Sequence, residues 1–341
     1  MPFFAATHAP TRRRSVLTRA LLPFSLFGGL YLQALAQPAA TVYPERPITV
    51  VIGYAPGGQA DAHTRLLAKL LSTALGQSVV VDNKPGAGTT IAAEYVARAK
   101  PDGYTLLMAG GSMLTIAPYT YASARYKVDD FQTISLTSLI PVGLIINPQA
   151  LPVKDFKEFI AYAKANPGKI SYATTGPGGA SHMLGELIKV RTGIDMVPVH
   201  YKGAGPALQD VLAGRVQAIV DSLPPHLPHM ALGKELGLAI STDKRLPGAP
   251  MVPTFAEMGY PDLGMGSWNG VVAPKGTPQP ILDKLHRAIV AAVASDEFRN
   301  RVIADAIVPL SNTPAEFDAL IKRDYVVWGE VLKKIGGVKL D

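Results

Sequence analysis

The chain has 341 residues, 48% hydrophobic and 17% charged, with no cysteine. That composition excludes a disordered chain, and the missing thiols exclude disulfides, thiolate metal sites and thiol nucleophiles. The formal charge is +7, but Arg12, Arg13, Arg14 and Arg19 fall within residues 1–36, which hold no acid; the mildly basic remainder lacks the Lys/Arg clusters of a nucleic-acid surface.

Residues 1–36 read as an export signal. Arg12–Arg14 form a basic segment, Val16–Leu35 is mostly apolar, and Ala34-Leu35-Ala36 is a small-x-small cleavage site. The mature protein is expected to begin at Gln37 in the periplasm. Arg13-Arg14-Ser15-Val16-Leu17 also resembles a twin-arginine signal, so the export route stays open. Arg19, Pro23 and Gly28-Gly29 argue against a membrane anchor.

The stretch Ile48–Arg65 predicts a buried strand, a glycine turn and a helix start. Ile48, Val50, Val51 and Ile52 are a short β-branched run, typical of a strand covered on both faces. Pro56-Gly57-Gly58 breaks the strand. Asp61 sits where a helix could begin, as an N-cap. Leu66, Leu67, Leu70, Leu71 and Ala74 follow at helical spacing. The pattern recurs. Val79–Val81 leads into Lys84-Pro85-Gly86-Ala87-Gly88 and a helix from about Thr90. Thr105–Ala109 leads into Gly110-Gly111-Ser112. Ile170–Ala173 leads into Gly176-Pro177-Gly178-Gly179 and a helix from about Ser181. Val197–Tyr201 leads into Gly203-Ala204-Gly205 and a helix from about Pro206. A glycine turn feeding a helix start presents unpaired N–H groups and a positive dipole end, a seat for an anion. Such turns also simply connect strands to helices. It is the set that favours a site, because parallel strands bind ligands at their carboxyl ends.

Between these units, Ile134–Leu139 and Val142–Ile146 predict strands separated by Pro141. Lys154–Asn166 predicts an amphipathic helix, and Val216–Val220 and Leu236–Ile240 predict strands. The turn-rich Pro247–Pro253 is the expected domain crossing. Val271–Ala273 predicts a strand, and Pro278–Ala294 and Pro314–Lys334 predict long helices. Alternating strands and helices indicate an α/β fold with largely parallel sheet.

Enzyme motifs fail on inspection. Ser181-His182 suggests a hydrolase, but a nucleophile elbow needs glycine two residues after the serine, where Met183 stands. Ser181 reads better as a helix cap, and His182 as a surface or pocket residue. Gly86-Ala87-Gly88 lacks the third glycine of a dinucleotide loop. His226 and His229 are expected to be polar surface rather than a metal pair. No cofactor and no metal are expected. The competing reading is an exported α/β hydrolase using Ser181, His182 and an acid such as Asp221. A third is a receptor subunit that reports ligand to a signalling protein.

Four stretches carry a family resemblance: Pro56-Gly57-Gly58-Gln59-Ala60-Asp61 with Arg65; Asp82–Gly88 with Ala97–Leu106; Tyr172–His182 with Val199–Gly203; and Ala273–Pro278. Together they resemble the extracytoplasmic solute receptors of the tripartite tricarboxylate transporter family, the Bug-type proteins. The resemblance implies a two-lobed, type II-like periplasmic binding protein. Each lobe would be a mostly parallel sheet flanked by helices, with the ligand cleft between them. Residues 37–140 plus 255–341 would form one lobe and 141–254 the other.

The resemblance also implies no enzymatic activity. It implies capture of a small organic acid, a mono- or dicarboxylate, aromatic and amino acids included, by a monomer that delivers it to membrane permease subunits. Family positions carried over are Gly57, Gly58 and Asp61; Thr89 and Thr90; and Thr175, Gly178, Ser181 and His182. Asp61 would fix a polar group of the ligand through water or an amino group, since a carboxylate beside an anion is unfavourable. Tyr54 replaces a common phenylalanine and adds a hydroxyl at the first turn, whereas Ala180 removes one at the third. Ser112 and Asp221 complete the expected ligand-binding set.

Overall fold

The computed structural model describes residues 43–305 and 307–340. The expected export signal and the Gln37 start lie outside the described residues.

Among the described residues the strands form two sheets. The first contains β1 (Ile48–Ile52), β2 (Val79–Asn83), β3 (Thr105–Gly110), β4 (Phe131–Ile140), β10 (Ser267–Pro274) and β11 (Val308–Pro309), in the order β11-β4-β10-β3-β1-β2. The second contains β5 (Val142–Ile146), β6 (Ile170–Thr174), β7 (Met196–His200), β8 (Ala218–Ser222) and β9 (Leu236–Ile240), in the order β7-β6-β8-β5-β9. The strands flanking β1 and β6 run parallel to them, as expected. The pairs of β10 with β3 and β4, and of β5 with β8 and β9, are antiparallel. Most strands of each sheet therefore share one direction, as expected, with β10 and β11 reversed in the first sheet and β5 in the second. The reason is topological: β5 and β10 enter from the other sheet rather than through a helical crossover of their own.

Both faces of β1 are covered. Ile48, Val50 and Ile52 join one core cluster with Leu67 and Leu71, while Val51 joins another with Trp268 and Phe317. Helix α1 (Gln59–Leu75) packs on this sheet and ends at Gly76, whose φ of 68° gives the left-handed cap. Its buried face carries Thr64 and Ala68 beside the leucines, and Ala74 is exposed, so the apolar stripe lies slightly off the expected line.

The remaining helices are α2 (Thr90–Ala97), α3 (Gly111–Thr115), α4 (Ala117–Thr120), α5 (Phe156–Ala165), α6 (Ala180–Thr192), α7 (Ala204–Leu212), α8 (Leu227–Ala231), α9 (Gln279–Ala294), α10 (Asp296–Ala304) and α11 (Pro314–Lys334). Two have strong starts. Asp155 accepts from the Glu158 N–H at α5, and Thr313 and Glu316 form a reciprocal capping box at α11, with bonds of 2.9 and 3.2 Å.

The chain passes between sheets at Pro141 and returns at Gly266. Pro247–Pro253, expected to be the crossing, instead packs on the second sheet: Ala249 and Val252 cluster with Ile145, Ile219 and Ile240. Phe255, Leu263 and Met265 remain in that lobe's core as well. The two passages touch. A Cβ on Gly266 would lie 2.9 Å from Ser241 Oγ and 3.2 Å from the Ile140 carbonyl, so glycine permits the close approach. Helix α11 serves both halves. Phe317 and Ile321 pack in the first core, Trp328, Val331 and Leu332 in the second.

Candidate functional site

In each sheet the parallel strands end on the same side, and the glycine turns gather there. Gly53 lies so close to the second turn that a Cβ on it would stand 2.6 Å from Thr89 Cβ. A Cβ on Gly110 would be 3.0 Å from the Tyr54 hydroxyl. The structure thus brings Tyr54, Thr89 and the end of β3 together. Burial pushes the Tyr54 phenol up, so it stays a neutral hydroxyl. Ser112 lies in the first turn of α3, whose N-cap is Gly110.

The first and third turns share one construction. Gly57 has φ 88° and Gly178 has φ 70°. Gly58 caps α1 at φ −77°, ψ 169°, and Gly179 caps α6 at φ −80°, ψ 172°. The Gly57 N–H donates to Asp61 Oδ2 at 3.0 Å, and the Gly178 N–H donates to His182 Nδ1 at 3.0 Å. In both cases a side chain in the first helical turn reaches back four residues to hold the loop. Asp61 and Ser181 are therefore not caps: glycines occupy those positions, and both side chains brace turns. Ser181 Oγ accepts from the Thr175 N–H at 2.9 Å and lies 3.0 Å from Thr175 Oγ1.

This arrangement redistributes the donors. The N–H groups of Gly57, Thr175 and Gly178 are taken within the protein. The helical ladders begin with Ala62 N–H to the Gly58 carbonyl and Met183 N–H to the Gly179 carbonyl. The N–H groups of Gln59, Ala60 and Asp61, and of Ala180, Ser181 and His182, precede those ladders and form the open helix ends.

The Asp61 carboxylate accepts three hydrogen bonds. Oδ2 also accepts from Arg65 Nε at 2.9 Å, and Oδ1 accepts from Asn83 Nδ2 at 2.8 Å. Asn83 donates as well to the Tyr54 carbonyl at 3.0 Å, and Arg65 to Asn83 Oδ1 at 2.8 Å. The Arg65 hydrogen bond, followed by those of Gly57 and Asn83, holds the Asp61 carboxyl down at about 2. Reasoning along the chain missed Arg65 and Asn83 as braces. The signal was present: Asn83 aligns with Ile52 in the parallel register, which sets it beside the first turn.

His182 accepts through Nδ1, so its proton is on Nε2. Burial, then His200, lowers it to about 4, and it is neutral at physiological pH. The His200 ring stands edge-on at 4.6 Å, and Glu186 lies 3.9 Å from Nε2. Glu186 in turn accepts from Tyr172 and Lys189. His182 also borders a cavity of about 580 Å³ beside Lys189 and Lys334.

The second turn is the most strained. Gly86, Ala87, Gly88 and Thr89 have φ of 127°, 43°, 57° and 79° in succession. Left-handed backbone at a β-branched residue costs about 1–3 kcal/mol and persists only where the surroundings over-determine it, as at binding sites. Thr89 Oγ1 is buried without a partner, whereas Thr90 Oγ1 donates to the Ala87 carbonyl at 2.8 Å.

Asp221 is the penultimate residue of β8, which pairs with β6, the strand that ends at Thr174. Its Oδ1 accepts from the Ser222 N–H at 2.7 Å, and Oδ2 lies 3.6 Å from His226 Nε2. His226 is fully buried and contacts both Glu235 oxygens through Nδ1 at 2.9 and 3.0 Å. It is not the surface residue expected. Burial alone would push His226 down, but Asp221 and Glu235 outweigh it and hold it up at about 9. Ser181, His182 and Asp221 thus each bond to other partners and form no nucleophilic relay. Among the described residues no group has metal-ligand spacing.

Two mixed sheets with flanking helices, joined by touching passages and bearing matched turns at their strand ends, define a two-lobed solute-binding protein. The model of the tripartite tricarboxylate transporter family receptor matches residues 63–337, and the chain belongs to that family. It is 36% identical to Protein BugT of Bordetella pertussis, covering 94% of this chain and 98% of that protein. Among solved structures it resembles Rpa4515 of R. palustris with adipate, at 32% identity and TM-score 0.70, covering 87% of this chain and 100% of that one. MatC from Rhodopseudomonas palustris with bound malate gives 32% identity and TM-score 0.67, covering 85% and 99%.

Proposed function

We propose that the protein captures a small organic carboxylate between its lobes and presents it to the membrane permease subunits of a tripartite transporter. The observation that carries this reading is the matched pair of turns, one on each sheet, each opening a helix whose first N–H groups precede the helical ladder. An acid can satisfy such groups on both lobes, with the helix dipoles favouring its charge. The adipate and malate in the two structural relatives support the same class of ligand.

In this reading the donors are the N–H groups of Gln59, Ala60, Ala180 and Ser181 together with Thr89 Oγ1. The Tyr54 hydroxyl, Ser112 and Asp221 border the ligand. Asp61, His182 and Thr175 shape the turns, and Gly57 and Gly178 supply their positive φ. The protein acts without enzymatic turnover, as a monomer, and reaches the periplasm after cleavage before Gln37. Intact-mass measurement of periplasmic material checks that start.

The functional test is thermal melting with a panel of mono-, di- and tricarboxylates. A ligand at a hundred times its dissociation constant adds about 2.7 kcal/mol of stability. One acid should therefore raise the melting temperature by several degrees, and its uncharged amide should not. No shift from any acid, or an equal shift from the amide, would overturn the reading.

A further inference from the structure

Two side chains outside the expected ligand set hold the backbone of both lobes' turns. The Tyr121 ring lies against Gly88, in the space a Cβ would need. Leu340 does the same in the other lobe: its Cδ1 is 2.8 Å from the place of a Cβ on Gly178. These two residues are themselves neighbours. Tyr121 and Leu340 form a parallel β-bridge, and the Leu340 N–H donates to the Thr120 carbonyl at 2.7 Å. Thr120 also approaches Gly178, with Cγ2 at 3.9 Å from that same position.

We propose that Tyr121 and Leu340 are a coupled pair of positioning residues that sets the two ligand turns relative to one another, an inference that rests on the carboxylate reading above. Gly88 sits inside the left-handed run Gly86–Thr89, which needs support from its surroundings to persist. Tyr121 supplies that support on one lobe. Gly178 carries the N–H held by His182, and Leu340 packs on its open face. Because the two are joined through the backbone, a shift of one turn is felt at the other. Helix α11 places Leu340 there by packing along both cores before the chain turns at Gly336-Gly337. Neither side chain offers the charge or the donors that would bind an anion by itself, except the Tyr121 hydroxyl, so their effect passes through backbone geometry.

The test uses the full chain, with malate and adipate as probes, and amide hydrogen exchange without ligand. Leu340→Ala and Tyr121→Ala should each weaken binding about tenfold, mainly through faster dissociation. Exchange should rise in both residues 86–90 and residues 176–181, whichever residue is changed. Leu340→Met and Tyr121→Phe should restore binding, because they keep the packing volume, and Tyr121→Phe also shows that the hydroxyl is not the active feature. The double alanine variant should lose no more than the worse single one. Unchanged affinity, or faster exchange confined to the turn next to the altered side chain, overturns the proposal. If the wild type binds neither probe nor any acid of the panel, the carboxylate reading fails. The exchange measurement needs no ligand and still decides the coupling.

Discussion

The Gly178 N–H donates to His182 Nδ1 at 3.0 Å, and that bond fixes which ring nitrogen carries the proton. Its counterpart in the other lobe, Gly57 to Asp61, has the same length and the same four-residue reach. One lobe braces its turn with a carboxylate and the other with a neutral imidazole. The two braces therefore respond differently to substitution and to pH.

Asp61→Asn should destabilise the protein although asparagine is nearly isosteric. Three donors converge on the two carboxylate oxygens. An amide has one acceptor oxygen and presents an NH2 group in place of the other, so at least one part-buried hydrogen bond is lost, at about 1 kcal/mol. Ligand affinity should fall with it, because the first turn loosens. Denaturant melts and calorimetry on the same preparation check both; an unchanged melt would show that the brace carries no weight.

Two histidines make opposite contributions to the pH response. His182 is lowered in the folded protein to about 4, so the unfolded chain binds its proton first. Its contribution is complete above about 6.5 and is lost as the pH falls from there toward 4. His226 is raised to about 9, so its contribution is complete below about 6.5 and is lost as the pH rises toward 9. Melting temperatures of His182→Asn should fall less on the acid side than those of the wild type. The asparagine oxygen can still accept from Gly178, and the titration is gone. An identical acid slope in both proteins would exclude His182 as its source.

Thr89→Gly should trade binding for stability. Glycine adopts φ 79° without the β-branched penalty, so the ligand-free protein should melt no lower than the wild type. Binding should weaken, since the buried, unpartnered Oγ1 disappears. A variant that binds normally would remove Thr89 from the ligand set.

Ser181→Ala should lower stability by about 1 kcal/mol through loss of the bonds to Thr175. It should change no ester-hydrolysis rate, because none is expected above background. Labelling of position 181 in the wild type by a fluorophosphonate would support the hydrolase reading instead.

Much of this was legible along the chain. The α/β alternation, the limits of α11 at Pro314 and Lys334, and every glycine turn follow from local signals: apolar periodicity, proline at a helix start, glycine where the backbone turns. The turn residues were readable as a set for the same reason. Their individual roles were not. Asp61 and Ser181 look like caps because capping residue types stand near helix starts, but glycine holds the cap position in both turns, which frees these side chains to reach back. The crossing was misplaced for a related reason. Pro247–Pro253 has the composition of a linker, yet its Ala249 and Val252 bury against the second sheet, and burial depends on partners distant in sequence.

The sequence by itself determined where the chain alternates between strand, glycine turn and helix, because that alternation depends on backbone preferences a few residues long. Tertiary structure alone decided which donors remain for a ligand. Whether an N–H is open depends on Asn83 crossing to Asp61, on His182 folding back to Gly178, and on Leu340 arriving beside a turn more than 150 residues earlier. Those pairings come from parallel register and from a last helix shared by both cores. They exist only once the sheets have formed and packed.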